Sequence, residues 1–413
     1  MGLVTLSRSW FHTAVPGFAL WAAAGVGGAC LAGIHHQRTP HPTRQFRWRA
    51  ITTPTGAVLL AVAGAFLLWS LLMAVVVVPD DWDAWAMWGA KAKVLALGHG
   101  PLAEVTRFGS PEYPLLWPCL WAFTGWLGGG WEECWAKGWG TVLLGLTAWQ
   151  ILAHLRRRSS SSRLTVAEVL PPVVFVTMPF VSLSASWAYA EPAYWLTLAC
   201  AWSALIALRD RPCGWTATIA GLLLAAAMYA KNEGGVFAAI ASAWLLPQRE
   251  LRPVHKLTVY ATAAFAFLPW LAWTRLLHGL DTTSTGGFVT LADAAHRLGT
   301  SGSATVAHMF RIALDPRLWG LGLAGVVGVA LYALFSGGAA MRRVIAVVAA
   351  LLIVYTAVLF LGRNDPLWQV GVAWSRLVTH LALLTIMVAG DRLPAAMRNE
   401  PFGPWGKVSR QHA

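Results

Sequence analysis

From Thr55 to Val78 the chain runs without a single charged side chain. That is longer than the ~20 apolar residues a helix needs to cross a bilayer. In lipid an open strand would leave its backbone N–H and C=O groups unpaired, so such a run is expected to be helical. Comparable runs recur. Apolar stretches read against their polar flanks predict spans at 14–34, 55–78, 136–155, 165–184, 190–208, 214–230, 235–247, 256–277, 318–336, 343–362 and 376–391. The 214–230 and 235–247 pair has a second reading, as two half-spans broken at Lys231–Gly234. The fold expected is an all-α polytopic membrane protein forming a single integral-membrane domain over 1–413.

Composition agrees. Charged residues make up 12% of the chain, against about 25% in an ordinary soluble domain, and mean hydropathy is +0.56. A disordered chain, a fibrous chain and an ordinary soluble enzyme are excluded. The net charge of +13 would suggest nucleic acid in a soluble protein. Here the positive-inside rule accounts for it, no RNA-recognition signature is present, and no nucleic-acid partner is expected. The five cysteines are scattered, without zinc or C-x-x-C spacing, so no disulfide framework is expected. Residues 14–34 could mimic a signal peptide, but are read as a retained first span. Many of the 25 tryptophans lie near span ends, as in an interfacial belt.

Basic clusters set the orientation. Arg38, Arg44, Arg47 and Arg49, then Arg156, Arg157, Arg158 and Arg163, then Arg209 and Arg211, then Arg249, Arg252 and Lys256, then Arg342 and Arg343 mark cytoplasmic loops. One crossing at 136–155 suffices between an outer Val78 and an inner Arg156. The apolar stretch 113–130, with Pro114 and Pro118, therefore reads as a re-entrant or membrane-surface helix. The first outer loop covers 79–135, a second covers 279–316, and 392–413 is a cytoplasmic tail. The second loop begins Gly/Ser/Thr-rich and continues as an amphipathic helix. On this topology most carboxylates lie outside, which points to chemistry on that face.

Four constellations carry candidate chemistry. The first is Asp80-Asp81-Trp82-Asp83-Ala84-Trp85 through Lys91-Ala92-Lys93. Carboxylates close to hydrocarbon are costly and usually functional. One of the carboxylates Asp80, Asp81 and Asp83 can act as general base on an attacking hydroxyl. A helix would turn two residues this close to different sides. Trp85 offers a face for a sugar ring. The plainer reading is a solvated acidic helix start. The second is Tyr189-Ala190-Glu191-Pro192, where Glu191 is either a substrate ligand or a helix-start charge. The third is Lys231-Asn232-Glu233-Gly234. There Lys231 can neutralise a lipid phosphate as a point charge or pair internally with Glu233. The fourth is Asp365-Pro366-Leu367-Trp368 followed by Arg376, whose guanidinium suits phosphate. Lys91 and Lys93 are further phosphate candidates. His35, His36 and His41 sit among arginines, and His296 and His308 have no metal spacing, so no metal ligand is assigned. Walker A, G-x-S-x-G and H-E-x-x-H motifs are absent, which removes support for ATP-driven transport and ordinary serine hydrolysis.

In order, these motifs resemble the GT-C-fold membrane glycosyltransferases. The likeness is to the group related to dolichyl-phosphate-mannose–protein mannosyltransferases and bacterial lipid-A aminoarabinose transferases. Trp82-Asp83-Ala84-Trp85 through Lys93 is similar to their acidic first outer loop. Ser110-Pro111-Glu112-Tyr113-Pro114-Leu115-Leu116 resembles H-P-D-Y-P-L-L. Tyr189-Ala190-Glu191-Pro192 resembles Y-A-D-x-P, and Lys231-Asn232-Glu233-Gly234 resembles T-K-N-E-G. Asp365, Trp368, Arg376 and Leu377 fit D-x-x-W…R-L. The likeness runs over about 55–390. Ser110 stands where His is common, Glu191 where Asp is, and Gln369 where His is expected.

The resemblance implies a GT-C-like bundle of about 11 transmembrane helices with a re-entrant, juxtamembrane helical outer loop. It implies transfer of a sugar from a polyprenyl-phosphate lipid donor, entering from the membrane lipid, to an envelope glycan, lipid or protein acceptor on the outer face. Asp83 or Asp81 would be the base. Lys231 and Arg376, with Lys91 and Lys93 as alternates, would hold the donor phosphate. Glu191, Tyr113, Trp85, Asn232, Glu233, Asp365 and Trp368 would contact substrate. A divalent cation is compatible with the clustered carboxylates but is not required by them. A glycolipid transporter or flippase is the alternative, in which the same charges line a path.

Overall fold

The computed structural model describes residues 54–77, 81–97, 108, 110, 113–127, 130–131, 133–157, 164–272, 274, 288–336 and 339–390. The expected first span at 14–34, His35, His36, His41, Asp80, the start of the second outer loop and the tail at 392–413 lie outside these residues.

The described residues are helical, with one isolated bridge between Phe288 and Gly362. In chain order α1 is Pro54–Val76, followed by a π-helical segment Asp83–Gly89 that continues into α2, Ala90–Leu97. Then come α3 (Leu116–Leu127), α4 (Glu133–Arg156), α5 (Val166–Thr177), α6 (Pro179–Ser186), α7 (Glu191–Asp210) and α8 (Gly214–Ala230). These are followed by α9 (Glu233–Leu245), α10 (Pro253–Ala272), α11 (Leu291–Ala313), α12 (Pro316–Trp319), α13 (Gly322–Ser336) and α14 (Ala339–Leu361). The last helix is composite: α15 (Pro366–Gln369) passes through a π-helical turn at Val370–Trp374 into α16 (Ser375–Gly390).

Among the described residues, two helices are long and apolar enough to cross a membrane, Pro54–Val76 and Pro366–Val388. A bent pair, α5 with α6, makes a third if it is counted as one. Eleven spans were expected. One of them, 14–34, lies outside the described residues; among the rest the difference is one of length and polarity. α4 is long, but it carries Glu133, Lys137, His154 and Arg156. α8 and α9 are apolar but too short.

The stretch 165–184, expected as one span, bends by 60°. The residue before a proline is pushed out of the helical region. Met178, before Pro179, is accordingly extended at φ −63°, ψ 120°. Pro171 and Pro172 also remove two donors from α5. The stretch 318–336 breaks as well, at Gly320, whose φ of +54° is a left-handed stop that glycine tolerates best. α3 has 12 residues. At ~1.5 Å per residue it is too short to span.

α1 and α7 occupy opposite environments. α1 leaves Val58, Leu68 and Val76 largely exposed, whereas most of α7 is buried. Polar ties hold the helices in place. Ser70 pairs with Thr141 (2.9 Å) and donates to the Ser182 carbonyl (3.0 Å), joining α1, α4 and α6. Trp195 donates to Thr379 (2.9 Å), joining α7 to α16. Arg156 reaches both oxygens of buried Glu168 at 3.2 Å, joining α4 to α5.

The break between α8 and α9 is held by close backbone approach. Lys231 is extended at φ −156°, ψ 155°. A Cβ on Gly234 would lie 2.1 Å from the Ala227 carbonyl oxygen. A Cβ on Gly235 would meet nothing within 4 Å. Gly234→Ala is therefore expected to destabilise by at least the ~1–3 kcal/mol typical of overpacking, and Gly235→Ala by less than ~0.5 kcal/mol. Comparative unfolding of the two variants checks this. Equal stability would show that the turn does not pack as described.

Candidate functional site

Three of the four constellations named from the sequence, together with Arg376 of the fourth, meet in one charged network. Asp81 lies just before the π-helical segment and Asp83 begins it. Tyr189 and Glu191 lie at the start of α7, where Pro192 occupies a first-turn position that suits proline. Lys231 and Glu233 flank the α8–α9 break, and Arg376 opens α16.

Arg376 donates to Asp83 Oδ2 at 2.5 Å, across 293 positions of sequence. Its Nε lies 4.0 Å from Glu191 Oε1. The guanidinium stacks over the Tyr189 ring, 4.7 Å from the centroid, a favourable arrangement of cation and aromatic face. Lys231 Nζ donates to Glu191 Oε1 at 2.8 Å and lies 3.1 Å from Glu233 Oε1. The Glu191 side chain is 1% exposed and that of Lys231 is 5% exposed. Charges this deep persist only when paired and hydrogen-bonded. Both sequence readings of Lys231 therefore bear on one residue. It pairs with Glu233, and it also sits beside a carboxylate from another helix.

The two aspartates differ in what they have left to offer. Asp81 Oδ1 accepts from the Asp83 backbone N–H (3.0 Å), and Oδ2 accepts from the Tyr189 hydroxyl (2.7 Å). Both its oxygens are committed. Asp83 commits one oxygen to Arg376 and remains 21% exposed. Burial holds the Tyr189 phenol well above its ordinary range, against the opposing charge of Arg376 and with the Asp81 hydrogen bond adding to the rise. The phenol thus remains a donor to Asp81.

The other named residues lie around this network or apart from it. Lys91 is fully buried, donates to the Ser110 carbonyl at 2.5 Å and stands 5.8 Å from the Trp88 ring centroid. Tyr113 packs edge-on to Trp88 at 5.4 Å. Trp85 and exposed Lys93 line a small cavity with Gly89, Ala90, Trp121 and Glu133. Asn232 is exposed. Asp365 caps α15, accepting from the N–H groups of Leu367 (2.6 Å) and Trp368 (3.2 Å), while Trp368 points outward, 58% exposed. The structure gives Lys91 and Asp365 structural contacts.

Backbone strain occurs at two places, one of them next to Tyr189. Ser110 (φ 51°) and Ala188 (φ 69°) are non-glycine residues in the left-handed region, which costs of order 1–3 kcal/mol each. The carbonyl of each is held by a buried side chain, Ser110 by Lys91 and Ala188 by Trp117 (2.7 Å). The Ala188 turn delivers Tyr189 and Glu191 into the network.

Sequence reasoning named Tyr189 only as part of the second motif, and gave no role to Tyr194, Tyr355 or His380. Helical spacing carried a signal for two of them. Tyr194 is three residues after Glu191, and His380 four after Arg376, so each shares a helix face with a network residue. Among the described residues no group of three or more His, Cys, Asp or Glu side chains is arranged to hold a metal ion. The network carboxylates instead face Lys231, Arg376 and Tyr189. No family model, curated protein or solved structure matches the chain.

Proposed function

We propose that this chain is a multi-pass integral-membrane glycosyltransferase of GT-C-like architecture. On this reading it moves a sugar from a polyprenyl-phosphate donor to an envelope glycan, lipid or protein at the extracytoplasmic face. One observation carries the reading. Carboxylates and cations from separate motifs, distant in sequence, converge with Asp83 beside Arg376 and Glu191 beside Lys231. Sugar transfer from a lipid phosphate needs a base for the acceptor hydroxyl and fixed cations for the leaving phosphate. This arrangement supplies both.

The step runs as follows. The uncommitted oxygen of Asp83 takes the acceptor proton. The acceptor oxygen bonds to the anomeric carbon. The bond from that carbon to the phosphate oxygen breaks, and its electron pair leaves with the polyprenyl phosphate. Lys231 and Arg376 stabilise the charge that grows on that oxygen. The exposed apolar face of α1 suits contact with lipid tails.

The test is transfer from radiolabelled polyprenyl-phosphate sugars in proteoliposomes holding the full chain. Release of free polyprenyl phosphate with labelled product is the expected result. Movement of intact labelled lipid between leaflets, without cleavage, would replace the enzyme reading with that of a glycolipid transporter or flippase.

A further inference from the structure

In the network three carboxylates, Asp83, Glu191 and Glu233, pair directly with two cations, Lys231 and Arg376. A phosphate adds more negative charge. Lys231 has three N–H donors and gives two to carboxylates, so a phosphate gains more than one of them only if a carboxylate gives up that cation. Glu191 is badly placed to do so. It is 1% exposed, 2.8 Å from Lys231 and 4.0 Å from Arg376, in the first turn of α7. Glu233 is held more loosely. Its side chain is 20% exposed, its Oε1 lies at 3.1 Å, and its buried Oε2 has no hydrogen-bond partner.

Around Tyr194, whose hydroxyl donates to the Glu233 backbone carbonyl, stands a second set of unsatisfied groups. His380 is fully buried, and neither ring nitrogen is hydrogen-bonded. Its ring stands edge-on to Tyr194 (4.5 Å) and to Tyr355 (6.0 Å). It lies within electrostatic reach of Lys231 and Arg376. The Tyr355 hydroxyl, on a residue 2% exposed, has no partner at ordinary hydrogen-bond geometry and interacts loosely with the Tyr194 hydroxyl. It lies within electrostatic reach of Glu233. Tyr194 in turn donates to the Glu233 backbone carbonyl at 3.2 Å. Buried polar groups are almost always paired, because each unpaired one is costly. Several gathered in one place point to a second arrangement in which they have partners.

We propose that His380 and Tyr355 are the receiving site for the Glu233 carboxylate when a phosphate replaces it on Lys231. In that arrangement the phenol O–H and the imidazole N–H donate to the carboxylate, so its charge stays buried but satisfied. Both are positioning residues. They act on the donor through Glu233 and Lys231. The inference rests on the phosphate-donor reading above.

The test measures binding of sugar-free polyprenyl phosphate to the full chain in nanodiscs by tryptophan fluorescence. KM and kcat for the sugar-loaded donor are measured alongside. His380→Phe and Tyr355→Phe are each expected to weaken phosphate binding about 10-fold, the loss falling on KM rather than kcat. His380→Gln keeps a donor and recovers most of the loss. In a Glu233→Gln background no carboxylate charge needs receiving, so His380→Phe adds little and the two changes are non-additive. A loss of equal size with and without Glu233→Gln would mark His380 as structural only and overturn the proposal. So would unchanged binding in both single variants. If His380→Phe fails to fold, Tyr355→Phe deletes a single oxygen and carries the same comparison. Folded wild type that binds no polyprenyl phosphate would remove the donor reading itself, an outcome distinct from additivity.

Discussion

Asp83→Asn is expected to slow sugar transfer by roughly 10²–10⁴-fold, the contribution usual for a positioned general base. Asparagine keeps the shape and an oxygen that can accept from Arg376, so the helix contact persists while the proton acceptor is lost. Turnover by wild type and variant in the same proteoliposomes checks this, with protein folding monitored by thermal unfolding. Asp81→Asn serves as the contrast. Both Asp81 oxygens are occupied, by the Asp83 N–H and the Tyr189 hydroxyl. Its replacement disturbs the position of Asp83 without removing the base, and the loss is expected to be smaller. If Asp81→Asn stops transfer and Asp83→Asn does not, the base is Asp81.

The second large effect is on stability. Lys231→Met removes the 2.8 Å partner of a glutamate that is 1% exposed. Breaking a buried pair from one side costs about 3–5 kcal/mol, because an uncompensated charge stays behind. The unfolding midpoint of the detergent-purified protein is expected to fall sharply. Glu191→Gln combined with Lys231→Met removes both charges and is expected to recover much of that loss. A single variant as stable as wild type would mean that the Glu191–Lys231 contact does not form.

Several parts of this arrangement were legible in the sequence. Long charge-free runs dictated helices, because no other local structure pairs its own backbone where water is absent. The proximity of Lys231 to Glu233 and the break at 231–234 were readable from the charges and glycines themselves. The bend between α5 and α6 was written in Pro171, Pro172 and Pro179 but was passed over in favour of one apolar run. The cap at Asp365 was also local, since an aspartate before proline at a helix start accepts the next free N–H groups.

The remaining features arise from contacts between distant segments. No local pattern pairs Asp83 with Arg376 across 293 positions, or makes Glu191 rather than Glu233 the shorter contact of Lys231. Burial of Lys91 against the Ser110 carbonyl, and of His380 between two tyrosines, depends on which helix faces meet. Sequence by itself determined the helical character of the chain, the motifs rich in charge beside apolar runs, and the positions where the backbone must turn. These follow from solvation and dihedral freedom, which act over a few residues. Only the tertiary structure decided which charges neutralise one another and which polar groups are left without partners. Pairing and burial depend on distance in space, and the order of residues along a chain does not specify that distance.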